Sequence, residues 1–129
     1  MAAKALADDP STTGLVSVGD HRNEVVLVGR LAAAAQEREL PSGDALVSWR
    51  IVVDRPPAPR PDGRRTPTVD ALDCIAWRKP VCRGVLSWQV GDTVEVSGAL
   101  RRRFWRSEQG PVSRTEVEVV KARRLRKAG

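Results

Sequence analysis

Apolar and polar residues form five strand-length segments along the chain, and turn-forming sequences separate them. The first, Asn23 to Ala33, contains a nearly continuous apolar run over Val25–Val28, which is typical of a strand buried on both faces. The other segments alternate with a period of two, as strands with one buried face do. They are residues 45–54, 68–77, 93–103 and 112–122. The pattern therefore predicts an all-β domain.

Turn and loop signals lie between the predicted strands. Tight turns are predicted at Pro41–Asp44, Gln89–Asp92 and Ser107–Pro111. Pro80 permits the first turn of a short helix over residues 80–87, which Gly84 weakens. The proline-rich segment 55–67 cannot form a strand or a helix, so it is predicted to be an exposed loop. It is either a spacer or a loop that touches phosphates through its arginines, which are Arg55, Arg60, Arg64 and Arg65.

Five strands with one short helix between the third and the fourth match the architecture of an OB-fold barrel. Periodicity does not establish that the barrel closes, so a small β-sandwich also fits the pattern. A chain of 129 residues suits one domain, which is predicted over residues 21–122. Residues 1–20 lack periodicity and predict a flexible N-terminal arm, and residues 123–129 predict a short basic C-terminal tail.

Alternation also assigns faces to the strands. Trp49 shares a face with Val47 and Ile51, so it is expected in the core, as is Trp88 after the helix. The inner face of the fourth strand is expected to carry Val94, Val96, Gly98 and Leu100.

The first strand is apolar on both faces, which one small barrel cannot bury alone. Val26 and Val28 are expected to point inward, so Val25 and Leu27 need a partner surface. Pairing of barrels into a dimer or a tetramer would supply that surface.

Basic residues outnumber acidic ones, 22 to 16, which gives a net charge of +6 and favours a polyanionic partner, nucleic acid first. The positive charge is concentrated in two places. One group surrounds two aromatic residues, Phe104 and Trp105, and consists of Arg101, Arg102, Arg103 and Arg106. The other occupies residues 121–127.

The chain offers little for catalysis or for metal binding. His21 is its one histidine, there is no Cys-x-x-Cys pair, and Cys74 and Cys82 are predicted to be buried thiols. We expect no enzymatic activity, no metal, no cofactor and no small-molecule substrate. No apolar run approaches the roughly 20 residues of a membrane helix, and no secretory signal opens the chain. A cytoplasmic location without membrane association is therefore expected.

Three motifs carry a resemblance to a known family. Asn23–Leu31 resembles the Asn-x-Val-x-Leu-x-Gly-x-Leu opening strand of bacterial single-stranded DNA-binding proteins. Arg38–Gly43 is similar to that family's Arg-x-x-Pro-x-Gly hairpin, and Val90–Arg101 to its Gly-x-x-Val-x-Val-x-Gly-x-Leu strand. The motifs occur in the family's order and span about residues 23–122. The resemblance implies an OB-fold that binds single-stranded DNA.

The resemblance also implies which residues touch DNA. Trp105 follows the basic end of the fourth strand, where the family carries a base-stacking tryptophan, and Trp77 matches the position of a stacking phenylalanine. Such proteins hold single strands by stacking bases on aromatic faces and by pairing basic side chains with phosphates. The remaining expected contacts of this segment are Phe104, Arg101, Arg103 and Arg106.

The chain departs from the family at three places. Ala71 replaces a frequent aromatic residue, and Asp73 replaces a frequently basic one and would repel phosphate. The chain ends in the basic residues of 123–129 where the family has a Gly-rich tail with an acidic tip that recruits other enzymes.

These observations support one leading hypothesis and two alternatives. The leading one is sequence-independent binding of single-stranded DNA in replication, recombination or repair, by a dimer or tetramer associated with the nucleoid. One alternative is a tail-less primosome-type accessory protein that docks mainly on a helicase. The other is an RNA-binding OB module, because stacking does not depend on the 2′-OH.

Overall fold

A computed structural model describes residues 17–57, 62–64 and 67–129 of the chain. In these ranges the backbone forms seven strands and one α-helix. They are β1 (Ser17–Val18), β2 (His21–Arg22), β3 (Val25–Glu39), β4 (Ala45–Asp54), β5 (Val69–Ala76), α1 (Lys79–Leu86), β6 (Thr93–Ser107) and β7 (Gly110–Arg126). The short strands β1 and β2 pair with each other, and the other five form a separate sheet.

This larger sheet closes into a barrel in the order β3-β4-β5-β7-β6. Neighbouring strands are antiparallel except β5 and β7, which are parallel and place Cys74 opposite Val117. Helix α1 lies between β5 and β6, the third and fourth strands of the barrel. The predicted closed barrel and the position of its helix are thus confirmed, and the β-sandwich is excluded.

Strand β3 closes the barrel because it pairs with strands on both sides. Its first part, Val25 to Arg30, pairs with β6, and its second part pairs with β4 up to Glu39. Arg30 belongs to both ladders. At Gly29 the neighbouring strand comes so close that a Cβ atom would overlap the carbonyl oxygen of Val52. A side chain at this position would therefore push β4 away from the bend in β3.

The predicted end of this strand at Ala33 is wrong, because β3 continues to Glu39. Residues 32–39 are rich in Ala, Gln, Glu and Arg, which have low strand propensity. Pairing with β4 overrides that propensity, and the register shifts between Leu31 and Gln36 accommodate the bend.

The barrel interior is filled mainly by branched aliphatic side chains and two tryptophans. Trp49 and Trp88 pack edge to face with 6.2 Å between ring centres, and both are buried as predicted. Cys74 and Cys82 are also buried and carry free thiols, as expected. Burial raises the pKa of the Cys74 thiol to about 12.

The described part of the chain contains no helix with the length and apolar character needed to cross a bilayer.

The predicted orientation of side chains is wrong on two strands, β3 and β6. Val26 and Val28 point outward and are 63% and 45% exposed, whereas Val25 and Leu27 pack against the core. Leu100 is exposed rather than inside, whereas its neighbour Ala99 is fully buried, because the register shift between Ser97 and Gly98 exchanges the faces of β6.

Beyond the end of the β3–β6 ladder, Asn23 contacts β6 from the side of β3. Its amide nitrogen donates to the Leu100 carbonyl oxygen over 2.8 Å, and its amide oxygen accepts from the Leu100 N–H over 2.9 Å. The β6–β7 ladder continues from there to the pair Ser107–Gly110. Residues 101–107 and 110–116, which we call the β6–β7 extension, therefore form a two-stranded ribbon beyond the barrel.

The other end of β7 is held by a buried carboxylate. β7 continues from its predicted end at Ala122 to Arg126 and pairs with the start of β6. Asp92 accepts hydrogen bonds from the backbone N–H groups of Gln89 (2.9 Å) and Ala128 (2.7 Å). These two donors hold the pKa of the Asp92 carboxyl below its usual range. The last residues of the chain are thereby fixed against the turn before β6.

Position 98 requires glycine because the backbones of β6 and β7 come very close together there. A Cβ atom there would overlap the backbone carbonyl group of Glu118, next to a register shift in the β6–β7 ladder. We expect Gly98→Ala to lower the free energy of unfolding by about 1–3 kcal/mol through overpacking, as measured by denaturant titration. Gly84→Ala is the matched control, since open space surrounds Gly84 in α1. This change should raise stability by about 0.5–1 kcal/mol, and equal effects of the two changes would contradict the explanation.

Candidate nucleic-acid interface

Three adjoining cavities form a groove across one side of the barrel. The first, of about 690 Å³, lies between the β3–β4 turn, Trp77 and helix α1. The second and third, of about 270 and 350 Å³, lie between β3, β4, β5 and the base of the β6–β7 extension. Glu37 lines both the first and the second cavity, and Gln36, Ser48, Arg114 and Glu116 line both the second and the third. Because neighbouring cavities share walls, we treat them as one continuous surface, called the groove.

The first cavity combines an aromatic wall with positive charge. Trp77 follows the end of β5 and is partly exposed beside Leu86 of α1. Lys79 and Arg83, four positions apart on α1, share a face of the helix and also line this cavity. An indole face with two neighbouring cations suits a ligand that has a flat ring and an anionic group. Glu37 and Asp44 also line this cavity, so its lining carries both signs of charge.

The β6–β7 extension exposes its two aromatic side chains on opposite faces. Phe104 and Trp105 are consecutive residues of a strand, and they are 73% and 41% exposed. The Arg102 guanidinium lies 5.7 Å from the centre of the Phe104 ring. The Arg114 guanidinium lies 5.9 Å from the centre of the Trp105 ring. Each ring is thus held beside a cation, which is a favourable contact of about 0.5–1 kcal/mol at exposed sites.

Several of the arginines already have carboxylate partners. Arg103 lies 3.2 Å from Glu116, and Arg101 lies 3.6 Å from Glu118 across the β6–β7 ladder. Arg106, near the tip, is exposed and has no carboxylate within ion-pair distance among the described residues. The predicted contacts therefore differ in how freely their charge is available.

The loop arginines are also paired where the structure describes them. Arg55 donates from Nε and Nη2 to the carboxylate of Asp70, and the shortest of these hydrogen bonds is 2.7 Å. This pairing raises the pKa of Arg55 and lowers that of Asp70. Arg64 lies 3.3 Å from Asp62. The predicted contacts Arg60 and Arg65 lie outside the described residues.

The structure brings only some of the predicted residues together. Trp77 and Arg103 line the groove, and Phe104, Trp105, Arg101 and Arg106 lie on the β6–β7 extension. Arg55 and Arg64 belong to the loop after β4 and do not line the groove.

Four basic residues of the groove were missed, namely Arg38, Arg50, Lys79 and Arg83, and so was Arg114, which serves both the groove and the extension. Sequence reasoning could not place Arg114 opposite Arg103, since that pairing depends on the β6–β7 register. The expectation that Asp73 repels phosphate also changes, because Asp73 forms an ion pair with Arg50 over 2.9 Å.

In the described part of the chain, no group of three or more His, Cys, Asp or Glu side chains is placed to hold a metal ion.

Comparisons with known proteins agree with this arrangement. The family model described as "Single-strand binding protein family" matches residues 22–125. The single-stranded DNA-binding protein of Oceanobacillus iheyensis is 32% identical over 88 residues, which cover 68% of this chain and 53% of that protein. This chain therefore spans about half the length of that relative. A relative of the same name from Streptococcus pyogenes serotype M3 is 31% identical over 114 residues, which cover 83% of this chain and 68% of that protein.

A solved structure supports the fold assignment. The chain is similar to that of a Plasmodium falciparum SSB complex with ssDNA, with a TM-score of 0.71 and 18% identity, over 84% of this chain and 99% of that one. This similarity, together with the closed five-stranded barrel, confirms the predicted OB-fold. The family match runs from the end of β2 through the barrel and stops just before the end of β7. The chain belongs to the single-strand binding protein family.

Proposed function

We propose that this chain binds single-stranded DNA without sequence preference and that it acts by binding, not by catalysis. The observation that carries the proposal is the β6–β7 extension, where two exposed aromatic rings each lie beside an arginine. Membership of the family and the names of the relatives support the choice of DNA as ligand.

Stacking would supply the selectivity for single strands. A base stacked on an aromatic face contributes about 1–3 kcal/mol, and every base has a face to offer. In a duplex those faces are covered by neighbouring base pairs, so the rings of Phe104, Trp105 and Trp77 would find no partner. Because Phe104 and Trp105 lie on opposite faces of the extension, a strand that uses both would pass around it.

Phosphates would be held by the cations that have no carboxylate partner. Arg106 and Arg114 on the extension, and Lys79 and Arg83 beside Trp77, have none within ion-pair distance among the described residues. Arg55, Arg60, Arg64 and Arg65 remain proposed contacts of the loop, and Arg101 and Arg103 of the extension. Four of these, Arg55, Arg64, Arg101 and Arg103, would exchange a carboxylate for a phosphate on binding.

The proposed setting is the bacterial cytoplasm, in replication, recombination or repair of DNA. The binding domain would be residues 21–122, flanked by an N-terminal arm (1–20) and a basic segment (123–129). Such a protein needs no cofactor and no small-molecule substrate, because stacking and ion pairing involve no covalent step.

Two copies of the chain would associate through the outer face of β3. Val26 and Val28 are exposed there, next to Ser97 and Glu95 of β6. Apolar side chains two positions apart on a strand form a continuous strip, which a second copy would cover. The proposed partner is therefore a second molecule of this chain, in a dimer or a tetramer.

Replacing Trp105 tests the stacking role. We expect Trp105→Ala to weaken binding of oligo-dT by about five- to more than a hundredfold, because one stacked base is lost. Titration by tryptophan fluorescence measures the affinity, and thermal unfolding should show little change because Trp105 lies on an exposed ribbon. Leu125→Ala, a change of another exposed large side chain on β7, is the control and should leave affinity unaltered. Parental affinity in the Trp105 variant would refute the stacking role.

Replacing the outer valines tests the assembly. We expect the parent to sediment as a dimer or tetramer at micromolar concentration and Val26→Glu to sediment as a monomer, since a buried unpaired charge opposes association. Val90→Glu is the matched control, because Val90 is similarly exposed in the turn before β6. A parent that is monomeric, or a Val26 variant that assembles like the parent, would contradict the assignment of this face.

A further inference from the structure

We propose, building on the binding function above, that Asp73 and Glu116 compete with phosphate inside the groove and so weaken binding of the strand. Each carboxylate holds an arginine that lines the groove. A phosphate that approaches either arginine must displace a carboxylate that stays nearby. Tight binding is therefore left to the β6–β7 extension and the first cavity, and the second and third cavities hold the strand loosely.

The first competing pair joins β4 and β5. Arg50 and Asp73 are directly opposite residues in the ladder, and Arg50 Nε donates to Asp73 Oδ1 over 2.9 Å. Both line the third cavity of the groove. The two side chains are only partly buried, so this pair is one that solvent or a phosphate can reach. Its net contribution to stability is then small, and a ligand can separate it at low cost.

The second competing pair lies at the base of the β6–β7 extension. The Glu116 side chain is buried, its Oε1 lies 3.2 Å from Arg103 Nη1, and both residues line the second cavity. Oε1 has no hydrogen-bond partner of good geometry, so the contact is an ion pair without an aligned hydrogen bond. Arg114 lies opposite Arg103 in the ladder and lines the same cavity. Glu116 thus neutralises part of the charge that these two arginines bring to the groove.

Two other arginines of the extension lack such competitors. Arg102 and Arg106 form no ion pair with a carboxylate in the part of the chain that the structure describes. Arg102 contacts a ring instead, at 5.7 Å from the centre of Phe104. Positive charge is therefore available on this part of the extension. It is also available at Lys79 and Arg83 in the first cavity, and it is masked next to Asp73 and Glu116 in the second and third. A strand lying along the extension and the groove would gain phosphate contacts unevenly, fewest next to Asp73 and Glu116.

Removing either carboxylate charge while keeping the side-chain shape tests this proposal. We expect Asp73→Asn and Glu116→Gln each to bind fluorescein-labelled oligo-dT about two- to fivefold more tightly at low salt. The plot of log affinity against log salt should also become steeper, by up to about 0.7 for each arginine released. Fluorescence anisotropy at several salt concentrations measures both quantities. Thermal unfolding of each variant verifies that the barrel is intact, and Asp73→Asn carries the test alone if Glu116→Gln unfolds.

Asp54→Asn is the matched control. It makes the same change of charge and also breaks an ion pair across strands, with Arg30 at 3.2 Å, but neither residue lines the groove. Its affinity and salt dependence should equal those of the parent. If the parent binds oligo-dT and Asp73→Asn binds no more tightly, or if Asp54→Asn gains as much, the competition is refuted. If neither the parent nor any variant binds oligo-dT, the proposed function itself fails.

Discussion

The whole arrangement depends on one strand, β3, that pairs with different neighbours along its two halves. Its first half forms a ladder with β6 and its second half a ladder with β4, and Arg30 belongs to both. A sheet that shares a strand in this way has to bend at the shared position. Gly29 permits the bend, because a side chain there would overlap the backbone of Val52. Closure of the barrel, the groove along the second half of β3 and the exposed outer face of its first half all follow from this pairing.

The same constraint explains why the β6–β7 extension is free to bind a ligand. β3 reaches only as far as Gly98, so the remaining residues of β6 have β7 as their one neighbour in the ladder. A two-stranded ribbon buries little on either face, and an isolated one is marginally stable in water. Here the ribbon continues two strands of the closed barrel, which hold its base. The barrel therefore fixes the position of Phe104 and Trp105, which lie exposed beside arginines although no core packs beneath them.

The strands and the buried residues could be predicted because alternation of apolar residues reports burial directly. Alternation placed Trp49 in the core, and the position of Trp88 after the helix placed it there too. The turn at residues 41–44 was recognisable from its Pro and Gly. The orientation of the first strand could not be predicted. Four consecutive apolar residues give no indication of which alternate pair points inward, so Val26 and Val28 were placed on the wrong face.

Ion pairs between side chains on neighbouring strands could not be predicted from the sequence either. The pairing of Arg50 with Asp73 depends on the β4–β5 register, and that of Arg103 with Glu116 on the β6–β7 register. Neither register follows from residue types, since one step along a strand exchanges its faces. Arg103 and Asp73 could thus be identified as charges near the site, but not as members of neutralising pairs. The prediction for Leu100 was wrong for a related reason, because a register shift between Ser97 and Gly98 exchanges the faces of β6.

The proposed surface recognises single strands through stacking and phosphate contacts. Its most direct test compares the affinities of the parent protein for poly-dT, poly-U and duplex DNA over a range of salt concentrations. We expect poly-dT to bind more tightly than the duplex, and log affinity to fall with log salt by about 0.7 for each phosphate contact. Equal affinity for the duplex, or an affinity that does not depend on salt, would contradict this proposal. Tighter binding of poly-U than of poly-dT would instead identify RNA as the ligand of the groove.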